Sequence, residues 1–283
     1  MTYQYDSLNR LISASGSGWT QTQAYDGFGN LTGRTGTVQP TTISTPVNAA
    51  TNQLSGYTYD AENRQSFANA GAVQYFYDAQ NKRVWQAACM PGYCTPNGTW
   101  ILNTATVNLF GADGKQLSSY APQPAWNNMT TNQVAITFGP VAIRSYFGGR
   151  LVGQQLGINT YQAVVQDRLG SVGKYYPYGE ERNSPQLPND QVKFATYTRD
   201  SATGNDYADQ RYYTSVLGRF MTADPARNSA GPGDPGSWNR YSYTRGDPIN
   251  RGDAMGLDDC GADFCVEVNA SAPAVAPMRL KRK

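Results

Sequence analysis

The 283-residue chain contains no histidine. That absence excludes Ser-His-Asp and Cys-His nucleophile pairs and every zinc site that needs imidazole. Any catalysis has to rest on carboxylates, thiols, lysine or tyrosine. Charge is scarce as well: 16% of residues are Asp, Glu, Lys or Arg, and the formal net charge is +2. So small a balance gives no footing for nucleic acid, and the one basic run, Arg279, Lys281, Arg282 and Lys283, reads as a solvated tail. No apolar run is long enough to span a bilayer; Val134 to Ile143 comes nearest and is interrupted by Gly139-Pro140. The first residues, Met1 to Asp6, offer neither the basic nor the apolar stretch of a signal peptide. Sustained 3.6-residue apolar spacing is missing too, apart from a turn or two of helix expected near Ala202 to Gln210.

Cysteine is sparse and paired: Cys89 with Cys94, and Cys260 with Cys265. Each pair is close enough to close a small loop as a disulfide in an oxidising compartment, and free thiols are the other reading. A shared four-thiolate metal site would have to join pairs that lie far apart with wide gaps, so no metal is expected, and no organic cofactor.

What the chain has instead is 29 Gly, 16 Pro and 20 Tyr. Many turn formers, much tyrosine and few charges predict an all-β protein. Four copies of one pattern dominate the first ninety residues: Tyr5-Asp6-Ser7-Leu8-Asn9-Arg10, Tyr25-Asp26-Gly27-Phe28-Gly29-Asn30, Tyr59-Asp60-Ala61-Glu62-Asn63-Arg64 and Tyr77-Asp78-Ala79-Gln80-Asn81-Lys82. Tyr supplies a half-buried strand position, Asp binds nearby backbone amides in a turn, and Gly or Asn accepts the positive φ of a tight hairpin. A hairpin unit repeated along a chain predicts a growing sheet. The aspartates are spaced by 20, 34 and 18 residues, so an interrupted unit is expected between Thr32 and Tyr57, and a weaker fifth copy at Phe110-Gly111-Ala112-Asp113-Gly114-Lys115. The segments Thr35 to Asn52 and Pro122 to Asn132 read as loops, whereas Thr106 to Leu109 and Ser145 to Val152 read as strand and strand-turn-strand.

From Gln166 the texture changes to short aromatic runs separated by Gly and Asp-Pro turns. In order these are Asp167-Arg168-Leu169-Gly170-Ser171-Val172, Tyr175-Tyr176-Pro177-Tyr178-Gly179-Glu180, Tyr197-Thr198-Arg199-Asp200, Arg211-Tyr212-Tyr213, Leu217-Gly218-Arg219-Phe220-Met221-Thr222-Ala223-Asp224-Pro225, Trp238-Asn239-Arg240-Tyr241-Ser242-Tyr243, Gly246-Asp247-Pro248-Ile249-Asn250 and Asp253-Ala254-Met255-Gly256-Leu257. This series resembles the Rhs-repeat-associated core domain, and the Tyr-Asp units resemble the YD repeats that precede it. The resemblance implies YD-repeat hairpins forming a curved, spiralling sheet (a partial shell) over 1–160, a core domain over 161–257 that caps one end, and a short variable tail over 258–283. Related shells are the C subunits of insecticidal toxin complexes and the animal teneurins.

The resemblance also implies a role: the enclosing end of a secreted or cell-surface polymorphic toxin, holding its own C-terminal segment or joining the rest of a longer shell. In many relatives the core cuts its own chain after the last Asp-Pro-x-Gly-Leu motif by aspartic-protease chemistry. Asp224 and Asp253 stand at the two motif positions, and Leu257 is the expected last residue before the cut. Arg219, near Asp224 in sequence, is expected to pair with a carboxylate and hold the site, with a simple surface salt bridge as the competing reading. Two close carboxylates do not both ionise easily, so one keeps a proton and the other activates water. The chain departs from the pattern: Ala226 stands where relatives have Gly, Ala254 where they have Pro, and 25 residues with a Gly/Pro insertion at Gly231 to Gly236 separate the motifs. Asp234-Pro235 and Asp247-Pro248 are further Asp-Pro turns, and turn capping alone is the competing role for Asp224 and Asp253. The competing function is a non-catalytic cell-surface module whose exposed aromatics bind a glycan or protein.

The first repeat begins almost at the first residue, so the chain is expected to be a piece or a short relative of a longer repeat protein. The 26 residues after Leu257 fall below the roughly 40 at which a domain folds unaided, so the tail is expected to be a remnant, a truncation or a short released peptide rather than a folded toxin.

Overall fold

Each Tyr-Asp corner closes the same set of hydrogen bonds. At the first, Asp6 N donates to Arg10 O at 3.0 Å and Asn9 N to Asp6 O at 3.0 Å, while Asp6 Oδ1 accepts the amides of Leu8 and Arg10, both at 2.9 Å. Asn9 is left-handed, with φ 59. Asp26, Asp60 and Asp78 repeat the pattern, accepting the amides two and four residues on, and Gly29, Asn63 and Asn81 take the positive φ. The pairing register shifts by one residue at every corner, between Gln4 and Tyr5, Ala24 and Tyr25, Thr58 and Tyr59, and Phe76 and Tyr77. A turn followed by a left-handed residue in a bulge is a favoured short hairpin loop, and its twist matches that of the strands it joins. The weaker copy behaves alike. Gly111 N donates to Lys115 O, Gly114 N to Gly111 O, and the register shifts between Leu109 and Phe110.

These corners join strands into antiparallel meanders in the computed structural model. It describes residues 1–37, 41–42, 48, 50–51, 53–68, 72–88, 104–128, 133–182, 188–225, 230–257 and 259–261. The first sheet has five strands in chain order: β1 (Thr2–Tyr5), β2 (Leu11–Gly16), β3 (Trp19–Tyr25), β4 (Leu31–Gly36) and β5 (Thr41–Thr42). The second has nine, again in chain order: β6 (Thr58–Tyr59), β7 (Gln65–Ala68), β8 (Val73–Tyr77), β9 (Arg83–Ala88), β10 (Thr106–Phe110), β11 (Gln116–Asn128), β12 (Gln133–Phe147), β13 (Arg150–Leu156) and β14 (Thr160–Ala163). A strand pair flanks every Tyr-Asp corner, and among the described residues the strip forms two sheets rather than one uninterrupted wall. The break lies in the long gap between Asp26 and Asp60.

Aromatic and basic side chains tie one corner to the next. Arg10 lies over the Tyr25 ring at 4.8 Å, Arg64 over Tyr77 at 4.9 Å, and Lys82 over Phe110 at 5.6 Å. The Tyr25 hydroxyl donates to Leu11 O at 2.7 Å and the Tyr77 hydroxyl to Gln65 O at 2.6 Å. In these three places the basic residue that ends one unit meets the aromatic residue that opens the next, a contact worth roughly 0.5–1 kcal/mol where exposed.

Residues beyond 163 pack against both sheets. A four-stranded sheet of β15 (Thr198–Arg199), β16 (Asp206–Ala208), β17 (Arg211–Thr214) and β18 (Arg219–Phe220) carries the aromatic runs. Phe194, Tyr197, Tyr213, Phe220 and Tyr243 are all buried and interlock, with Tyr213 and Tyr243 ring centroids 4.8 Å apart. Their cluster includes Leu11, Ala14, Trp19 and Leu31 of the first sheet. A second cluster joins Tyr207, Tyr212 and Met221 to Ala68 and Tyr75 of the nine-stranded sheet. The buried sheet face is notably polar: Gln21, Gln23, Arg34, Gln65, Gln74, Gln116, Arg144 and Gln154 all point away from solvent.

Three sequence expectations are corrected. Residues 202–210 are not helical; a turn leads into β16, because Asp200 Oδ1 caps the amides of Ala202 and Thr203 and Asp206 enters the β15–β16 ladder. The stretch from Pro122 is not a loop up to Asn128 but the body of β11, whose prolines are accommodated by register shifts at Ser119/Tyr120 and Pro124/Trp126. Within 35–52, Thr35 and Gly36 belong to β4, and β5 pairs with it. The expected boundary at residue 160 falls at the first residue of β14. Cys89, Cys94 and Cys265 lie outside the described residues, as does the tail from 262.

Candidate functional site

The two aspartates singled out by the sequence come together on one nitrogen. Asp224 Oδ2 lies 3.4 Å, and Asp253 Oδ2 3.2 Å, from Nη2 of Arg211. Arg211 opens β17, Asp224 follows the end of β18, and Asp253 directly follows β19 (Arg251–Gly252). All three side chains are buried. Arg211 also donates through Nε to Gly256 O and through Nη1 to Arg240 O, at 3.2 Å for the latter. Arg240 in turn donates to Asp224 O and accepts the Asp224 amide at 2.9 Å. One guanidinium thus fixes both carboxylates and the backbone just before Leu257.

Asp253 caps the loop that carries the expected cut. Its Oδ1 accepts the Leu257 amide at 2.9 Å, and its carbonyl accepts the buried Tyr197 hydroxyl. Thr196 Oγ1 donates to Ala254 O at 3.1 Å. Gly256 has φ +68, and a Cβ there would lie 2.8 Å from Ala208 O, so the loop reaches this position only with glycine. Burial pushes the Asp253 carboxyl up to about 6; Arg211 and the Leu257 amide oppose that rise, and the charge of Asp224 adds to it. Burial also lowers the pKa of Arg211, against the pull of Asp253 and Asp224. On both partners desolvation outweighs the ion pair, as expected for charges taken out of water. Arg211, Asp224, Arg240, Arg245, Asp253 and Leu257 line a cleft of about 130 Å³, room for several waters.

Arg219 lies elsewhere. Its guanidinium stacks on the Tyr241 ring at 4.4 Å and its Nε donates to Phe220 O. The arginine that meets the carboxylates is Arg211, which the sequence reading quoted within Arg211-Tyr212-Tyr213 and gave no role. No local signal in the sequence singles it out; in β17 Arg211 stands at the strand end opposite Ala208. Asp247 is a turn residue, its Oδ1 accepting Asn250 N at 3.2 Å, and Asp234 pairs with Arg245. Two other buried carboxylates escaped notice. Asp200 pairs with Arg83 of β9, and Asp206 pairs with Arg199 at 2.8 Å. Among the described residues no three His, Cys, Asp or Glu side chains are grouped to hold a metal, and no helix is long and apolar enough to cross a membrane.

No protein-family model matches the chain. The tRNA nuclease WapA of Bacillus subtilis (strain 168) is 26% identical over 294 residues, an alignment that takes in 94% of this chain and 12% of WapA. The tRNA3(Ser)-specific nuclease WapA of Bacillus spizizenii is similar to the same extent. This chain therefore spans 12% of the length of the curated relatives it matches. Among solved structures, the Photorhabdus luminescens Tc holotoxin pore superposes with a TM-score of 0.58 at 20% identity, over 93% of this chain and 16% of that one. A TcdB2–TccC3 complex without its hypervariable C-terminal region gives 0.57 at 19% identity, over 90% of this chain and 15% of that one. The chain is all-β, built of open antiparallel sheets, and shares its fold with a portion of these Tc toxin chains.

Proposed function

We propose that this chain is the closing end of an Rhs/YD-type β-shell that encloses its own C-terminal segment and cuts it free once, after Leu257. The observation that carries this reading is the junction of Asp224, Asp253 and the Leu257 backbone on Arg211 and on each other. Asp253, raised to about 6, is the acid that holds the proton in mildly acidic solution, and Asp224 takes the part of the base that activates water. Water adds to the Leu257 carbonyl carbon as Asp253 gives its proton to the carbonyl oxygen. The bond to the Asp258 nitrogen then breaks, the leaving amine takes the proton that Asp224 received from water, and the hydroxyl formed from the carbonyl oxygen returns its proton to Asp253. Arg211 is a positioning residue: it holds the two carboxyls within reach of one atom and grips Gly256 O.

The enclosing role draws on the sheet itself. The buried polar face of the sheets is gripped by the capping residues, Arg34 by Glu180, Arg144 by Thr198 at 3.2 Å and Gln154 by Gln191 at 3.1 Å, so the cap closes one end of the strip through polar contacts. The similarity to WapA nucleases and the fold shared with Tc toxin chains favour a polymorphic-toxin setting, secreted or on the cell surface, with the rest of a longer shell as partner. The aromatic runs of residues 175–243 that a glycan-binding module could display, among them Tyr178, Tyr197, Tyr207, Tyr212, Tyr213 and Tyr243, are instead in the two buried clusters.

The test is the intact mass of freshly purified chain beside Asp253→Asn. Loss of the residues after Leu257 from the first and not from the second supports the reading; a full-length product stable for days between pH 4 and 8 removes the protease and leaves the scaffold.

A further inference from the structure

Two residues beyond the expected cut, Asp259 is gripped by two arginines. Arg245 Nε donates to its Oδ1 at 3.0 Å, Arg251 Nε donates to its Oδ2, and Arg251 Nη2 donates to its carbonyl at 3.3 Å. The grip continues into the backbone: β20 (Cys260–Gly261) pairs antiparallel with β19, Gly252 opposite Cys260 and Arg251 opposite Gly261. The strand downstream of the cut is therefore laid against the two residues that immediately precede Asp253.

Arg245 is itself built into place. Its backbone is left-handed with φ 57, directly after Thr244 with φ 50. Such conformations cost about 1–2 kcal/mol per residue outside glycine and persist where surrounding structure enforces them. Arg245 Nη1 also pairs with Asp234. Asp234 lies in the Gly231 to Gly236 insertion, which is one of the points where this sequence departs from the core pattern. The insertion's turn is closed by Ser237 Oγ on Asp234 O at 2.7 Å and by Trp238 Nε1 on Gly231 O at 2.9 Å. Arg245 is thus held from one side by the insertion and presents its Nε to the downstream strand on the other.

We propose that Arg245 and Arg251 form a clamp for an acidic side chain at the second position after the cut, which holds the downstream strand beside Asp253 and keeps the cut segment bound to the shell. The proposal rests on the self-cleavage reading for the word "cut", but the clamp itself does not need cleavage. It makes Asp259 a specificity determinant and turns cleavage into nicking without release, the segment leaving only when the strand pair and the clamp open.

Hydrogen exchange on the full chain carrying Asp253→Asn separates the two ideas. Amides of the peptide spanning Cys260 and Gly261 are expected to be protected there. Adding Asp259→Asn, or Arg245→Met with Arg251→Met, is expected to raise their exchange by about tenfold or more, the loss of charge-assisted hydrogen bonds in a local opening. Unchanged exchange in Asp259→Asn overturns the clamp, and that variant decides the matter if the double arginine variant fails to fold. In the cleavable chain, the cut segment is expected to co-elute with the body on gel filtration and to separate in Asp259→Asn; immediate separation in both contradicts retention. A chain that never cuts removes the protease reading alone and leaves the exchange result to judge the clamp.

Discussion

The Leu257 amide donates to Asp253 Oδ1 at 2.9 Å, yet the Asp253 carboxyl is pushed up to about 6 by burial. Because the folded value lies above the ordinary carboxyl range, the folded chain holds a proton between about pH 4 and 6 that the unfolded chain has released. The stability this contributes is full below pH 4 and is lost as pH rises through 6. Over that interval the loss is on the order of 3 kcal/mol. Asp253→Asn is therefore expected to gain stability relative to the parent as pH rises from 4 to 7, read as the difference between their unfolding midpoints in a pH series. Parallel profiles would mean that Asp253 titrates normally.

Removing Arg211 takes the guanidinium that two buried carboxylates share. Arg211→Met is expected to lose about 3–5 kcal/mol in denaturant unfolding at pH 7. Arg219→Met gives up a ring contact with Tyr241 and is expected to cost about 1–2 kcal/mol. The reverse order would put the important guanidinium at Arg219.

At the repeat corners the aspartate and the left-handed residue carry different weights. Asp60→Ala forfeits two amide acceptors and the Arg64 pair at 2.7 Å, and is expected to cost about 1–2 kcal/mol. Asn63→Gly keeps φ 61 without strain and is expected to change stability by a few tenths of a kcal/mol, whereas Asn63→Val is expected to cost about 1–2 kcal/mol. Thermal unfolding of the three variants checks the ranking.

The hairpins were legible because everything that makes them lies within six residues: Asp6 binds amides two and four positions on, and Asn9 supplies the turn. Asp167 closes the same bonds, accepting Leu169 N at 2.9 Å and Ser171 N at 2.8 Å before Gly170 at φ 86, in a segment the sequence reading assigned to the core. Its corner lacks the tyrosine, so the aromatic signature hid a shared turn. The Asp224–Asp253 meeting followed from motif order. The central arginine did not, because Arg211 reaches Asp253 across 42 residues of chain and nothing local distinguishes it from Arg219. The β11 strand was missed for the opposite reason: Pro122 and Pro124 are local turn signals overruled by the long β11–β12 pairing.

Self-cleavage is tested most directly by where water enters the chain. Full-length protein incubated near pH 5 in heavy-oxygen water, then analysed by mass and by sequencing of the new amino terminus, is expected to give a body ending at a labelled Leu257 carboxyl and a fragment beginning at Asp258, with neither formed by Asp224→Asn or Asp253→Asn. A cut at Asp224-Pro225, Asp234-Pro235 or Asp247-Pro248, or one that persists in either variant, would contradict it.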